Sequence, residues 1–163
     1  MEKTMELIKA SKTDVKTVAD IYESVKGGEF SVWNDNYPTL EDAKRDEAAG
    51  CLYILRSDGE TVGCISVEPV SEDDDLPFWK INDGTHREVS RVAVHPNHQG
   101  KGYARIMTEM LVKKLKSEGV TSIHLLAAKK NLPAVNTYRS LGFEFIGECY
   151  RYGADYFVCE KIL

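Results

Sequence analysis

The chain has no run of apolar residues long enough for a bilayer, no Cys-x-x-Cys pair among its four cysteines and no surplus of basic residues. Each absence removes a class of protein. A membrane-spanning helix needs about 20 consecutive apolar residues, and Met1-Glu2-Lys3 leads into no signal-peptide core. Lys and Arg total 21 against 26 Asp and Glu, a net charge of −5. That balance argues against nucleic acid as a partner, because phosphate backbones need a basic surface, and it leaves cationic partners open. Three of Cys51, Cys64, Cys149 and Cys159 lie in apolar, strand-like runs. They read as buried, reduced thiols of a cytoplasmic protein. His95 and His98 are separated by a proline and have no carboxylate or cysteine at ligand spacing, so no metal is implied. His124, inside a strand-like run, reads as a paired core residue.

Internal repeats, low-complexity tracts and linkers are also missing, so residues 1–163 read as one domain. With 42% apolar residues the chain can bury a core without disulfides or metal.

What is present is a regular alternation of elements. Leu7-Ile8 marks a first strand; Val15, Val18, Ala19, Tyr22 and Val25 then recur at helical spacing until Gly27-Gly28. After an aromatic, irregular stretch from Phe30 to Pro38, Thr39-Leu40-Glu41-Asp42 opens a second helix that ends by Gly50. Cys51–Leu55 and Thr61–Val67 are strands joined through Asp58-Gly59, a tight-hairpin signal. A polar excursion from Pro69 to Arg87 carries Glu72-Asp73-Asp74-Asp75, which reads as a solvated loop tip. A fourth strand follows to Val94, then a helix to Ser117 and a strand over Ser122–Ala127. A short helix opening at Pro133 precedes a final hairpin about Tyr152-Gly153.

Between the fourth strand and its helix lies Gln99-Gly100-Lys101-Gly102-Tyr103-Ala104. Glycines let a backbone approach a ligand closely, and the first turn of a helix leaves N–H groups without intrahelical partners. Those N–H groups, at the positive end of the helix dipole, suit a phosphate or pyrophosphate. The loop is not a Walker A motif, since no hydroxyl follows Lys101 to hold magnesium; it also lacks the third glycine and distal acid of a dinucleotide fingerprint.

The loop resembles the Gln/Arg-x-x-Gly-x-Gly/Ala signature of the GNAT superfamily of acyl-CoA-dependent N-acetyltransferases. Its flanks do too: Val92-Ala93-Val94-His95-Pro96 resembles that family's fourth strand. The segment from Asn131 through Ala134, Asn136 and Tyr138 to Leu141-Gly142-Phe143 resembles its second cofactor motif. The resemblance implies an α/β (α+β) fold, with a mixed, mostly antiparallel sheet of about seven strands, about four flanking helices, and strands four and five splayed to admit the cofactor. It implies acetyl-CoA as acyl donor, with the pyrophosphate on the N–H groups of Gln99, Gly100, Lys101, Gly102, Tyr103 and Ala104. The pantetheine arm would lie along the backbone of Val92 and Val94, near Asn131.

Acetyl transfer to an amine needs a neutral nucleophile, a stabilised oxyanion and a proton for the departing thiolate. By resemblance the Val94 N–H polarises the thioester and Tyr138 protonates the sulfur; by periodicity alone Tyr138 shares a core face with Val135 and Leu141. Strand alternation sets Glu88, Ser90, Val92 and Val94 on one face, with Arg91 opposite as an ion-pair partner. Glu88 is either the base that takes the amine's proton through water or an exposed residue at a strand start. Trp33, Tyr37 and Trp79 are candidate walls of an acceptor pocket. The expected reaction is direct attack, in a ternary complex, by a primary amine of a small molecule or peptide. A homodimer fits the family. A non-catalytic acyl-CoA sensor is the alternative from a different class, and an ATP-binding protein a third.

Overall fold

The computed structural model describes residues 4–163; Met1-Glu2-Lys3, read above for a leader, lies outside the described residues. The elements run β1 (Met5–Lys9), α1 (Val15–Val25), α2 (Leu40–Ala48), β2 (Leu52–Ser57), β3 (Glu60–Glu68), β4 (His86–Val94), α3 (Tyr103–Ser117), β5 (Ser122–Ala128), α4 (Leu132–Ser140), β6 (Glu144–Arg151) and β7 (Ala154–Ile162). The strands form one seven-stranded sheet in the order β1-β2-β3-β4-β5-β7-β6. Every neighbouring pair is antiparallel except β4 and β5. No described helix is long and apolar enough to cross a membrane. All four cysteines are free thiols.

Local sequence explains the element ends. Thr39 and Asp42 close a reciprocal capping box at the start of α2, and Asn131 Oδ1 accepts from the Ala134 N–H at the start of α4. Asp58-Gly59 and Tyr152-Gly153 both place two successive residues at positive φ, the requirement of a type I′ hairpin turn. The sheet divides two apolar clusters. Val89, Val94, Tyr103, Met107, Leu111 and Tyr138 belong to one, under α3 and α4; Val18, Ile21, Tyr22, Ala43, Cys64 and Ala93 belong to the other, under α1 and α2.

β4 carries the feature that positions the site. It pairs with β5 only through His86↔Ser122, Arg87↔Ile123 and Glu88↔His124. Beyond Glu88 the two strands part, β4 continuing along β3 and β5 along β7. The splay expected between strands four and five is therefore present, with Glu88 at its vertex.

Strict alternation along β4 does not hold. Three steps from Ser90 to Ala93 face two from Ser66 to Cys64, and Arg91 sits at φ +47°. This is a β-bulge, which adds a residue and reverses the facing of all that follow. Glu88 and Ser90 lie on the α1/α2 face, whereas Val92 and Val94 pack into the α3/α4 cluster. Arg91 turns to the same face as Glu88, where Asp46 meets it, and not to the opposite one.

The acidic excursion also departs from expectation. Glu72–Asp75 is a 3-10 turn docked on the sheet, not a solvated tip: Asp73 is buried and accepts from Arg151 and Tyr152. Periodicity could not anticipate this, because the partners that neutralise the turn lie about 80 residues away in sequence.

Candidate active site

Two regions meet at the opening between β4 and β5. On one side is the loop before α3. Gly100 and Gly102 adopt φ +78° and +79°, left-handed values that cost an L-residue with a side chain about 1–2 kcal/mol. A Cβ at either glycine would meet nothing within 4 Å, so backbone conformation and open approach, not crowding, require glycine here. Gly102 is the N-cap of α3 and no side chain caps that helix, so its first N–H groups are left for an outside acceptor. Lys101 is exposed beside them, and the exposed Gln99 donates from Nε2 to the Val94 carbonyl at 3.0 Å. Tyr103 is buried with its hydroxyl 3.3 Å from Ser57 Oγ, and Ala104 packs on the core.

The open edge of β4 faces the same space. His95 N–H donates to Val62 O across the β3 ladder at 3.0 Å. By alternation the N–H and C=O of Val94 point the other way, into the opening. The Gln99 side chain reaching Val94 O from that side agrees. Tyr138 is buried under α4 against Phe143, ring centroids 5.5 Å apart, and its hydroxyl has no hydrogen-bond partner among the described residues. Burial, then nearby Cys159, raises its phenol above the ordinary tyrosine value, so it holds its proton at neutral pH. Asn131 is half-buried, and its carbonyl is engaged in capping α4.

On the other side lies a polar cluster. Glu88 is 4% exposed, so the exposed-strand-start reading does not hold. Its Oε2 accepts from Ser71 Oγ, while Oε1 is buried without a partner. Burial, Asp73 and Glu68 push its carboxyl up to about 9. Arg91 has four of its five donors engaged: Nε and Nη2 donate to Asp46 at 2.7 and 3.1 Å, Nη1 to the Tyr37 hydroxyl at 2.9 Å, and Nη2 also to Glu68. The ion-pair role expected of Arg91 is met, though from the unexpected face.

Behind the vertex, Glu160 accepts from the backbone N–H groups of Lys80 and Ile81 and from Ser122 Oγ, at 2.7, 3.1 and 2.7 Å. These bonds hold its carboxyl below the ordinary range despite burial. His124 Nε2–H donates to Ile81 O at 2.7 Å and its ring lies between Trp79 and His86, 3.8 and 4.4 Å away. Asp74, His86 and His124 bring ligand-type atoms within 4.8 Å of one another. The His86 and His124 rings are nearly parallel, however, and His86 Nε2–H already donates to Asp74, so their lone pairs do not converge on one point. The reading of His124 as a paired core residue holds.

Of the three candidate acceptor walls, Trp33 lines a cleft of about 440 Å³ with Lys129, Lys130 and Asp155. Tyr37 holds Arg91, and Trp79 stacks on His124 while donating to Asp73 O at 2.8 Å. Sequence reasoning missed Ser71 and Glu160; the only signal was their polarity beside apolar runs.

A sequence model of the Acetyltransferase (GNAT) family matches residues 18–143. L-amino acid N-acyltransferase MnaT of Escherichia coli K12 is 26% identical over 143 residues, 82% of this chain and 76% of that protein. N-acetyltransferase 8 of Mus musculus is 23% identical over 142 residues, 87% of this chain; the chain spans 50% of the mouse protein's length. The solved structure of yncA from Salmonella typhimurium with its cofactor acetyl-CoA superposes with a TM-score of 0.74 at 22% identity, over 98% of this chain and 94% of the other.

Proposed function

The chain belongs to the GNAT acetyltransferase family, and from that premise we propose that it transfers acetyl from acetyl-CoA to a primary amine. The observation that carries the proposal is the uncapped start of α3, with left-handed Gly100 and Gly102, set beside the outward-facing edge of β4. The residues there fit acetyl-CoA. N–H groups from Gly100 to Ala104, with Lys101, would hold the pyrophosphate, and the Val92–Val94 edge and Asn131 would hold the pantetheine arm. The solved relative with acetyl-CoA supports this choice of donor.

Each chemical demand has a residue. Val94 N–H would donate to the thioester oxygen as negative charge gathers there. Glu88, raised toward the range of an amine, is matched in proton affinity to the ammonium it must deprotonate. Tyr138 would return a proton to the departing sulfur. Its burial makes the phenol a weak acid until a thiolate develops beside it.

A free-thiol release assay with acetyl-CoA and a panel of monoamines, diamines, amino acids and short peptides tests this reading. Thiol release dependent on one amine class is the expected result. Acetyl-CoA binding with no release across the panel would replace it with the sensor reading.

A further inference from the structure

We infer that Asp73 and Glu88 form an ammonium-binding subsite roofed by Tyr152, and that the acceptor is an aliphatic amine or diamine without a carboxylate. This deepens the transferase reading and rests on it. Three separate elements converge on the subsite: Glu88 from β4, Ser71 and Asp73 from the excursion, and Tyr152 from the tip of the β6–β7 hairpin.

The first observation is a buried carboxyl to which no protein group donates at one oxygen. Glu88 is almost wholly buried, with Oε2 bonded to Ser71 and Oε1 offered no donor by any described residue; beside it lies the Asp73 carboxylate, which the Glu88 carboxyl can bond only through its own proton. A buried polar atom left in this state costs stability unless a ligand or water supplies the bond. The second is an uneven charge. Glu68 pairs with Glu88 across the β3–β4 ladder, Asp73 is buried beside it, and the Glu72 carboxylate lies 3.5 Å from the Tyr152 hydroxyl. The nearby cations are already engaged, Arg91 with Asp46 and Glu68, and Arg151 with Asp73 and Asp75 at 3.0 and 2.8 Å. On the β5 side Glu88 adjoins His124, which burial keeps neutral and which stacks on His86.

The third is the roof. Tyr152 occupies the first of two left-handed turn positions, at φ +54°, where asparagine, aspartate or glycine is least strained. The residue is 63% exposed, yet its hydroxyl donates to the buried Asp73 at 2.9 Å. The turn keeps a costly residue whose hydroxyl reaches the carboxyl pair. A guest N–H₃⁺ offers three donors, enough for Glu88 Oε1 and Asp73 together. A carboxylate on the same guest would face Glu68, Glu72 and Asp73.

The proton balance follows. A guest ammonium pairs with the ionised Glu88 carboxylate, so binding releases the Glu88 proton to solvent. During transfer that carboxylate takes one ammonium proton as the N–C bond forms and the C–S bond breaks, and the sulfur leaves as the thiol. Net, ammonium and thioester give amide, thiol and one proton.

Calorimetry on the CoA-loaded protein near neutral pH tests the subsite with 1-aminobutane, 1,4-diaminobutane and 4-aminobutanoate, in two buffers of different ionisation enthalpy. Both amines are expected to bind with about one proton released, and 4-aminobutanoate about tenfold more weakly or worse. Glu88→Gln should abolish proton release and weaken the amines about tenfold. If that variant does not fold, wild-type proton release and selectivity still decide. Binding of 4-aminobutanoate as tight as 1-aminobutane, or amine binding without proton release, overturns the subsite. Thiol release in parallel reports the transferase reading separately. Release with amino acids but no preference for amines overturns the subsite alone; selective binding with proton release but no thiol upholds the subsite and overturns the transferase reading.

Discussion

The two faces of β4 obey different rules. On the α3/α4 face, Val89, Val92 and Val94 pack with Tyr103, Met107 and Tyr138, an apolar surface built by periodicity and closed by hydrophobic contact. On the α1/α2 face, Glu88 meets Ser71, and Arg91 meets Asp46 and Glu68, partners from other elements, while Ser90 Oγ is buried with none among the described residues. Apolar packing is non-directional and tolerates approximate fit. A buried polar face tolerates little, because a lost partner leaves the other group desolvated and unpaired.

The contrast is tested most severely by Glu160→Ala. Removing that carboxylate orphans the N–H groups of Lys80 and Ile81 and the Ser122 hydroxyl at once. A loss of about 3–5 kcal/mol is expected, read as a fall of about 6–20 °C in Tm. A fall of under about 2 °C would show that the polar face contributes little. The same residue sets a pH dependence. Its folded-state pKa lies below the ordinary value, so its contribution is complete above the unfolded carboxylate range and lost as pH falls through the folded value. Glu160→Gln should flatten the acid limb of a Tm-against-pH curve.

On the apolar face, Tyr138→Phe removes one oxygen from a residue otherwise surrounded by packing. It should lower kcat by about a hundredfold while leaving Tm within about 2–4 °C and acetyl-CoA affinity within about twofold. A variant that loses Tm but keeps kcat would make Tyr138 a core residue only.

Gly147→Ala probes how tightly the excursion is seated. A Cβ there would sit 2.6 Å from the Phe78 ring, so Phe78 must shift. The expected cost is about 1–3 kcal/mol, with amine KM rising more than acetyl-CoA KM. Equal effects on both would mean that the excursion does not shape the acceptor side. The smallest expected effect is that of Gly102→Val. Strain at φ +79° and a side chain at the anion cradle should weaken acetyl-CoA binding about tenfold, and unchanged affinity by titration would remove the loop from the donor site.

The sequence and the tertiary structure divide along the same line. Helix spacing, Asp58-Gly59, Pro133 and the two glycines before α3 act over a few residues, so the elements and the glycine loop were legible before any fold was known. Glu88 at the vertex, the reversal of Val92 and Val94 and the seating of Asp73 were not. They follow from one inserted residue at Arg91 and from partners such as Arg151, Tyr152 and Glu160, far off along the chain. By itself the sequence determined the glycine loop and helix start proposed for the donor, because backbone conformation and helix ends are local. Only the tertiary structure decided which carboxylates are buried together at the β4–β5 vertex, because the ionisation of a buried acid is set by whatever the fold packs against it.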